Sequence, residues 1–319
     1  MAKASVYADI AKYMTVQGIP RGPKSRYYIV DPTDGSDNNV GTNFLAPLKT
    51  LEAAYAKCVA DQNDAVLMVG GSTADNPAAA ITWSKSYTHL IGMSSPLPGL
   101  GQRCRVVALA ATALSPMLTI SGNGCIFKNL QFNNEYATGA VDTVTVTGQR
   151  CYFENVFFMV PGSVTAASSS LKISGGENAF RDCTFGQHTR VRTAASRNVW
   201  FHKGDGDNQR NKFIHCEFLS WSSVTTHVLI YTDIDIDNET FTIFFDDCLF
   251  ANYYGSGEAG GKLAVAIDDN CAVFHQIYMR GQGNCIAGCT AVADPLTYVM
   301  KAEATGTASG LLMALVNES

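Results

Sequence analysis

Residues 127–132 read Phe-Lys-Asn-Leu-Gln-Phe, and a version of this six-residue motif returns through the middle of the chain. The first, fourth and sixth residues of each copy are apolar, and the second and fifth are mostly polar. Runs of ten or more residues with a 3.6-residue period, which helical repeats need, are absent here, so the motif indicates short strands. The other copies start 26 to 33 residues apart and are residues 153–158, 180–185, 213–218 and 245–250, with a degenerate sixth at 274–279.

The repeat predicts an all-β fold, a right-handed parallel β-helix in which each repeat forms one coil. A glycine follows a short alternating strand five residues before each of the first three copies, so a coil holds at least two strands and a turn. One coil cannot bury its inward face alone, and coils must therefore stack about 4.8 Å apart. Stacking predicts an aromatic ladder of Phe127, Phe153, Phe180, Phe213 and Phe245. It also predicts a polar file at the turn, made of Asn129, Asn155, Asp182, His215 and Asp247.

The pattern divides the chain into four segments. Residues 1–30 are predicted to be an N-terminal arm, and residues 31–64 a polar loop followed by a capping α-helix. The β-helix is predicted to occupy residues 65–290. Residues 291–319 are then a C-terminal cap or an oligomerisation segment, which would protect the open edge of the solenoid from aggregation.

The arm contains a short amphipathic pattern. Val6, Ile10, Tyr13 and Met14 recur at three- and four-residue spacing, which predicts a helix over residues 5–15. A helix of this length is marginal alone in water, so we expect its apolar stripe to pack on the body of its own chain or on another subunit. These four residues are therefore the candidates for partner binding.

Composition excludes several classes of function. The net charge of −5 argues against a nucleic-acid partner, because binding to phosphates needs clustered Lys and Arg side chains. No apolar run approaches the ~20 residues of a membrane-spanning helix. No signal peptide opens the chain either, which predicts a product of reducing cytoplasm. The ten cysteines lack a paired framework, and five share two repeat positions, so they are interpreted as core residues rather than redox or zinc ligands.

Two parts of the sequence resemble known proteins. A strand, the Asp- and Gly-rich loop at 31–42 and the Pro-Leu-Lys-Thr-Leu-Glu-Ala-Ala segment at 47–54 resemble the start of pectate-lyase-like right-handed β-helix proteins. In that superfamily such a helix commonly plugs the first coil. Residues 64–71, 82–85 and 88–92, together with the leading arm, resemble tailspike-like virion proteins of tailed bacteriophages.

The resemblance to phage proteins implies a structural role in the virion. The expectation is a homotrimeric decoration or fibre-like protrusion on the capsid surface, made in the host cytoplasm and bound to the major capsid protein or another virion protein. Trimers suit a solenoid because its long flat sides can pair around an axis. No membrane or nucleic-acid partner is expected.

The candidate catalytic and metal-binding patterns in the sequence have simpler interpretations. Asp233, Asp235 and Asp237 alternate with isoleucines, so a strand would place three carboxylates on one face. A Ca²⁺ ion would neutralise them, although a solvated loop is the favoured interpretation. The six histidines lie outside any nucleophile-elbow pattern. The sequence therefore predicts no catalytic residue and no cofactor, and we expect the chain not to be an enzyme.

The alternative to a structural virion protein is a tailspike-type protein that binds or depolymerises a polysaccharide as a lyase or glycoside hydrolase. In this alternative a polysaccharide lies along the side of the helix, and exposed aromatic rings stack on its sugars. The candidates for that contact are Trp200, Trp221, Tyr231, Tyr253 and Tyr254.

Overall fold

The computed structural model describes residues 18–94, 104–162, 165–202, 210–222, 224, 226–232 and 241–253, together with the backbone of four later strands. The first strands are β1 (Tyr27–Val30), β2 (Asp64–Val69), β3 (Ile81–Trp83), β4 (Thr88–Met93), β5 (Arg105–Ala108), β6 (Leu118–Ile120), β7 (Ile126–Asn134), β8 (Asp142–Val146), β9 (Tyr152–Phe158), β10 (Ser169–Ile173) and β11 (Ala179–Arg181). The remaining strands are β12 (Thr184–Arg192), β13 (Arg197–Phe201), β14 (Asn211–Ile214), β15 (Glu217–Ser222), β16 (Val228–Thr232), β17 (Phe241–Asp246), β18 (Leu249–Asn252), β19 (Val265–Ile267), β20 (His275–Arg280), β21 (Cys285–Ala287) and β22 (Tyr298–Lys301). One α-helix, α1 (Leu51–Lys57), lies in the described part of the chain.

The strands form two parallel sheets wound around one core, which confirms the predicted parallel β-helix. The first sheet runs β1-β2-β4-β7-β9-β11-β14-β17-β20-β22, with β5, β12, β15, β18 and β21 attached beyond a bend. The second runs β3-β6-β8-β10-β13-β16-β19. Pairing keeps the same motif position opposite itself from coil to coil, because Phe127 pairs with Phe153, Phe153 with Phe180, and Phe180 with Phe213.

Two stacks of phenylalanine rings fill the core. In the predicted ladder, neighbouring ring centroids lie 5.1, 4.6, 4.8 and 5.2 Å apart from Phe127 to Phe245, with the rings nearly parallel. The sixth motif residue forms a second stack, which runs through Phe132, Phe158, Phe185, Phe218 and Phe250. Contacts between rings add about 0.5–1.5 kcal/mol per pair beyond the burial of their area.

Helix α1 closes the first coil, as the sequence predicts. Thr50 caps its N-terminus by accepting a hydrogen bond from the backbone N–H of Ala53 at 3.2 Å. The buried face of α1 carries Tyr55, whose ring stacks on Trp83 at 4.2 Å, and Trp83 contacts Phe127 at 5.4 Å. The helix therefore extends the aromatic column at the N-terminal end of the solenoid and shields that end of the core from water.

The polar file occupies the bend between the two halves of each first-sheet coil. All five of its residues have φ between 51° and 56°, in the left-handed region that Asn, Asp and His tolerate better than bulky residues. In the first coils the file is buried, and Asn155 Nδ2 donates to Asn129 Oδ1 at 2.9 Å. The backbone conformation of the bend thus explains this residue choice.

The turn glycines are required by close contact between coils. A Cβ on Gly148 would lie 2.3 Å from the carbonyl oxygen of Gly122, and one on Gly175 would lie 2.0 Å from that of Gly148. Neither contact can relax without moving backbone. Any larger residue would therefore force the coils apart at this corner.

The described cysteines are buried and free, as the sequence predicts for core residues. Burial raises the pKa of Cys58 to about 12 and that of Cys104 to about 11. Burial also raises the pKa of Cys216, which lies in the file at the fourth motif position, well above its ordinary value. Thiols held in the protonated form are poor nucleophiles and poor metal ligands.

A buried carboxyl group lies at the N-terminus of α1. Asp75 is 3% exposed, its Oδ1 accepts from Leu51 N at 3.4 Å, and its Oδ2 has no hydrogen-bond partner among the described residues. Desolvation, assisted by the nearby charge of Glu52, raises the pKa of Asp75 to about 7. The protonated form of Asp75 is therefore favoured in the folded state below about pH 7.

Several predicted features lie outside the described residues. They include residues 1–17 of the predicted arm, with Val6, Ile10, Tyr13 and Met14, and the Asp233, Asp235 and Asp237 run. Strand β22 pairs with β20, so the first sheet reaches residue 301. In the part of the chain that the structure describes, no helix has the length and apolar character needed to span a membrane.

Replacing a ring in the middle of the ladder tests the stacked core. Phe180→Ala removes a ring that contacts neighbours on both sides, so we expect it to lower the free energy of unfolding by about 3–5 kcal/mol. The measurement is urea denaturation followed by circular dichroism. Phe44→Ala, at a side chain that is 42% exposed, is the control and should cost under about 0.5 kcal/mol. Equal losses of unfolding free energy in the two variants would show that the ladder does not stabilise the fold.

The raised pKa of Asp75 predicts a pH-dependent stability. The folded-state pKa lies above the unfolded value, so the folded state binds more protons and stability falls as pH rises from about 4 to about 7. The full difference is at most about 4 kcal/mol. Asp75→Asn should remove this slope and be more stable than the native chain at pH 8, as measured by urea denaturation at several pH values. A variant that keeps the native slope would show that another group titrates.

Candidate functional site

A file of polar and aromatic side chains lies on the outer face of the second sheet. Its members are in register on successive strands, because Thr145 pairs with Lys172, Lys172 with Trp200, and Trp200 with Tyr231. Their sequence neighbours, such as Leu171 and Ile173, are fully buried in the core. Alternation along each strand therefore directs this file outward. We call Lys172, Arg197, Trp200 and Tyr231 the cation–aromatic cluster.

The cations of this cluster lie against the aromatic rings. Lys172 Nζ is 4.0 Å from the ring centroid of Trp200. The guanidinium carbon of Arg197 is 4.1 Å from the Trp200 centroid and 3.6 Å from that of Tyr231. Such contacts are worth about 0.5–2 kcal/mol each and restrict the cations to a defined place on the surface. The rings therefore position positive charge, a role different from the sugar stacking expected for Trp200 and Tyr231.

One carboxyl group borders the cluster. Asp142 accepts a hydrogen bond from Ser169 Oγ at 2.6 Å, and its Oδ2 lies 3.9 Å from Lys172 Nζ. Desolvation raises the pKa of Asp142, although the Ser169 hydrogen bond and the Lys172 charge oppose this shift. The imidazole of His202 packs edge-on against Trp200, with centroids 4.7 Å apart. Asp142 and His202 are thus two groups that can exchange protons beside fixed positive charge.

A second aromatic group lies where β15 and β18 end. Trp221 and Tyr253 are 37% and 53% exposed, and Val191 pairs with Trp221 from the preceding coil. The ring of His188 lies 5.1 Å from that of Tyr253. This ledge presents partly exposed aromatic rings, which suits stacking on sugars. Tyr254 and the three Asp residues of the predicted Ca²⁺ run lie outside the described residues.

A serine–histidine network lies nearby but is closed to solvent. His227 Nε2 is 2.6 Å from Ser220 Oγ, and its Nδ1 is 3.0 Å from Ser196 Oγ, which accepts from Arg192 Nε. All four residues are at most 3% exposed. A substrate has no access to this network, so it holds the turn between the sheets together.

The cation–aromatic cluster was only half visible in the sequence. Trp200 and Tyr231 were candidates, whereas Lys172, Arg197 and Asp142 were missed. Aligning residues 144–147 with 171–174 and 199–202 places Lys172 beside Trp200 and could have found that pair. Within the described ranges, no group of three or more His, Cys, Asp or Glu side chains has a geometry that could hold a metal ion.

Solved structures similar to this chain include a pectate lyase, pectin methylesterases and a rhamnogalacturonan lyase. A pectate lyase, Pel9A, matches over 90% of this chain and 76% of its own, with 14% identity and a TM-score of 0.60. A rhamnogalacturonan lyase matches over 84% and 70%, with 13% identity and a TM-score of 0.60. ORF18 of Geobacillus virus E2 matches over 94% and 63%, with 11% identity and a TM-score of 0.51. No protein-family model and no curated protein sequence matches the chain.

These likenesses define the class of fold. The chain is a pectate-lyase-like parallel β-helix, a scaffold also found in a phage protein. The prediction that the chain is not an enzyme is wrong on this comparison, because the similar structures are those of lyases and of pectin methylesterases. The trimer, the binding to a capsid protein and the location on the capsid surface stay predictions.

Proposed function

We propose that this chain is a polysaccharide-acting β-helix protein of a tailed bacteriophage and that it binds an acidic polysaccharide on the outer face of its second sheet. The observation that carries the proposal is the cation–aromatic cluster, in which rings hold two cations side by side. The folds of two polysaccharide lyases and of a phage protein support the two parts of the proposal.

The chemistry of the cluster favours an anionic ligand. Lys172 and Arg197 both lie against the ring of Trp200. A ligand on this surface therefore contacts their positive charges rather than a free ring of Trp200. An ammonium and a guanidinium group bind sugar carboxylates through charge-assisted hydrogen bonds. Because the rings already restrict both side chains, less rotamer entropy is lost on binding than for free surface cations.

The geometry of the solenoid suits an extended polymer. Lys172, Trp200 and Tyr231 lie on three successive coils, about 4.8 Å apart. A polysaccharide parallel to the helix axis would therefore meet one of these side chains at each coil. The ledge with Trp221 and Tyr253 supplies exposed aromatic side chains on which sugars beyond the cluster can stack.

The reaction class that fits this arrangement is β-elimination at a uronic acid. Lys172 and Arg197 would neutralise the sugar carboxylate and thereby make the proton on the adjacent ring carbon more acidic. Asp142 or His202 would accept that proton. The bond to the neighbouring glycosidic oxygen then breaks, a carbon–carbon double bond forms, and the leaving oxygen takes a proton from water.

Attachment to the virion is part of the proposal. A phage enzyme of this kind would act on the acidic surface polysaccharide of its host, and a location on the particle would bring it to that polymer. The homotrimer predicted from the sequence would place three such faces around one axis, which raises avidity for a repeating ligand.

Binding to a charged polymer and its neutral counterpart tests the proposal. We expect affinity electrophoresis to show retardation by polygalacturonate and much less by its methyl-esterified form, because only the charge differs. Lys172→Ala should weaken binding roughly 5- to 30-fold, the equivalent of about 1–2 kcal/mol. Lys212→Ala, on the outer face of the first sheet, removes the same charge elsewhere and is the control. Equal weakening by both variants, or no binding to acidic polymers, would contradict the proposal.

Asp142→Asn separates binding from chemistry. Removing the carboxylate leaves Lys172 and Arg197 uncompensated, so we expect binding of polygalacturonate to be equal or tighter at pH 7. The native chain should likewise bind more tightly as pH falls through the raised pKa of Asp142, and the variant should lose this dependence. If Asp142 accepts the proton, the ultraviolet absorbance of unsaturated products should disappear in Asp142→Asn. Full activity in that variant would assign the proton to another group, with His202→Gln as the next test.

A further inference from the structure

The outer face of the first sheet is apolar over its earliest strands except at His89, whose ring nitrogens bond to Asn63 Oδ1 and to the backbone N–H of Ile126. Within β1, β2 and β4 the residues that alternate with the core residues point away from the core, yet Ile29, Leu67 and Ile91 are 0% exposed. They form a hydrophobic cluster separate from the main core. We call this cluster the outer apolar patch, and its strand members are Tyr27, Ile29, Ala65, Leu67 and Ile91.

The patch ends abruptly along the sheet. One outward file runs in register from Ile29 to Leu67 and Ile91, and the same file continues as Lys128, Glu154 and Arg181. In the charged part Lys128 and Glu154 form an ion pair at 2.8 Å. An outer face normally meets water, so the apolar half of this file requires a cover that the charged half does not.

The described residues supply only a small part of that cover. Ile19 is 4% exposed and is the one described member of the cluster that comes from outside the strands of the sheet. A single isoleucine side chain cannot shield five neighbours. Ile19 does show that the chain reaches the patch just after residue 17, and Gly18, with φ 67°, provides a turn at that point.

We infer that the N-terminal arm of the same chain covers the outer apolar patch, with Val6, Ile10, Tyr13 and Met14 against it. In the helix that the sequence predicts over residues 5–15, these residues would lie on one stripe, at positions i, i+4, i+7 and i+8. A helix over residues 5–15 is about 16 Å long. The patch, with Ile126 of β7 packed against it, reaches across four strands and three spacings of about 4.8 Å, or about 14 Å. Arm and patch therefore match in polarity, in length and in chain continuity.

The test uses a thiol placed in the patch. Ala65→Cys introduces a reporter whose labelling by a water-soluble maleimide is slow while the arm covers it, and the chain without this substitution gives the background labelling of the native cysteines. Changing Val6, Ile10, Tyr13 and Met14 together to Ser should speed this labelling at least about tenfold. Val69→Cys, at the margin of the patch, is a second reporter in case Ala65→Cys disturbs packing, and unfolding midpoints verify that each reporter chain is folded.

The matched control changes Ala8, Ala11 and Lys12 to Ser, on the opposite side of the predicted arm helix, and should leave labelling slow. Fast labelling of the intact chain, or identical rates in the two serine variants, would overturn the inference. Sedimentation decides whose arm is bound. If the native chain is an oligomer that the Val6, Ile10, Tyr13 and Met14 changes dissociate, the arm covers a neighbouring copy and the intrachain assignment is overturned.

Discussion

Parallel pairing in register between successive coils is the constraint on which the rest of this structure depends. It places each side chain about 4.8 Å from its equivalent in the next coil, so any residue type that is chosen once is multiplied along the axis. Phenylalanines become two stacks, cysteines become buried files, and glycines mark the corner where backbones touch. The left-handed bend at Asn129 likewise recurs once per coil, at Asn155, Asp182, His215 and Asp247.

The same constraint organises the outside of the molecule. Outward residues also align into files, but nothing inside the solenoid dictates their chemistry. Along the first sheet one file changes from isoleucine and leucine to lysine, glutamate and arginine, and along the second sheet threonine gives way to Lys172, Trp200 and Tyr231. Each change alters the chemistry that the outer face of the sheet presents to its surroundings. The cation–aromatic cluster and the outer apolar patch are the two strongest of these changes among the described residues.

The prediction that the chain is not an enzyme was wrong, and the reason is physical. The repeat explains several Asp and His residues and five of the ten cysteines, so no group of catalytic residues stands out along the sequence. In a solenoid, side chains from successive coils converge instead, although they lie 26 to 33 residues apart in the sequence. Asp142, Lys172 and Trp200 belong to three coils and meet only because β8, β10 and β13 are adjacent strands.

The sequence by itself determined the fold, because a repeat that cannot bury its own face permits few arrangements besides stacking. From it followed the parallel β-helix, the Phe127-to-Phe245 ladder, the polar file, the buried cysteines and the capping helix. Only the tertiary structure decided which surface carries the candidate site. Core positions can be predicted from the alternation of apolar and polar residues. The neighbours of an exposed lysine or arginine cannot, because strand register decides which side chains lie next to it. Register depends on the length of every intervening loop, and those lengths vary from coil to coil.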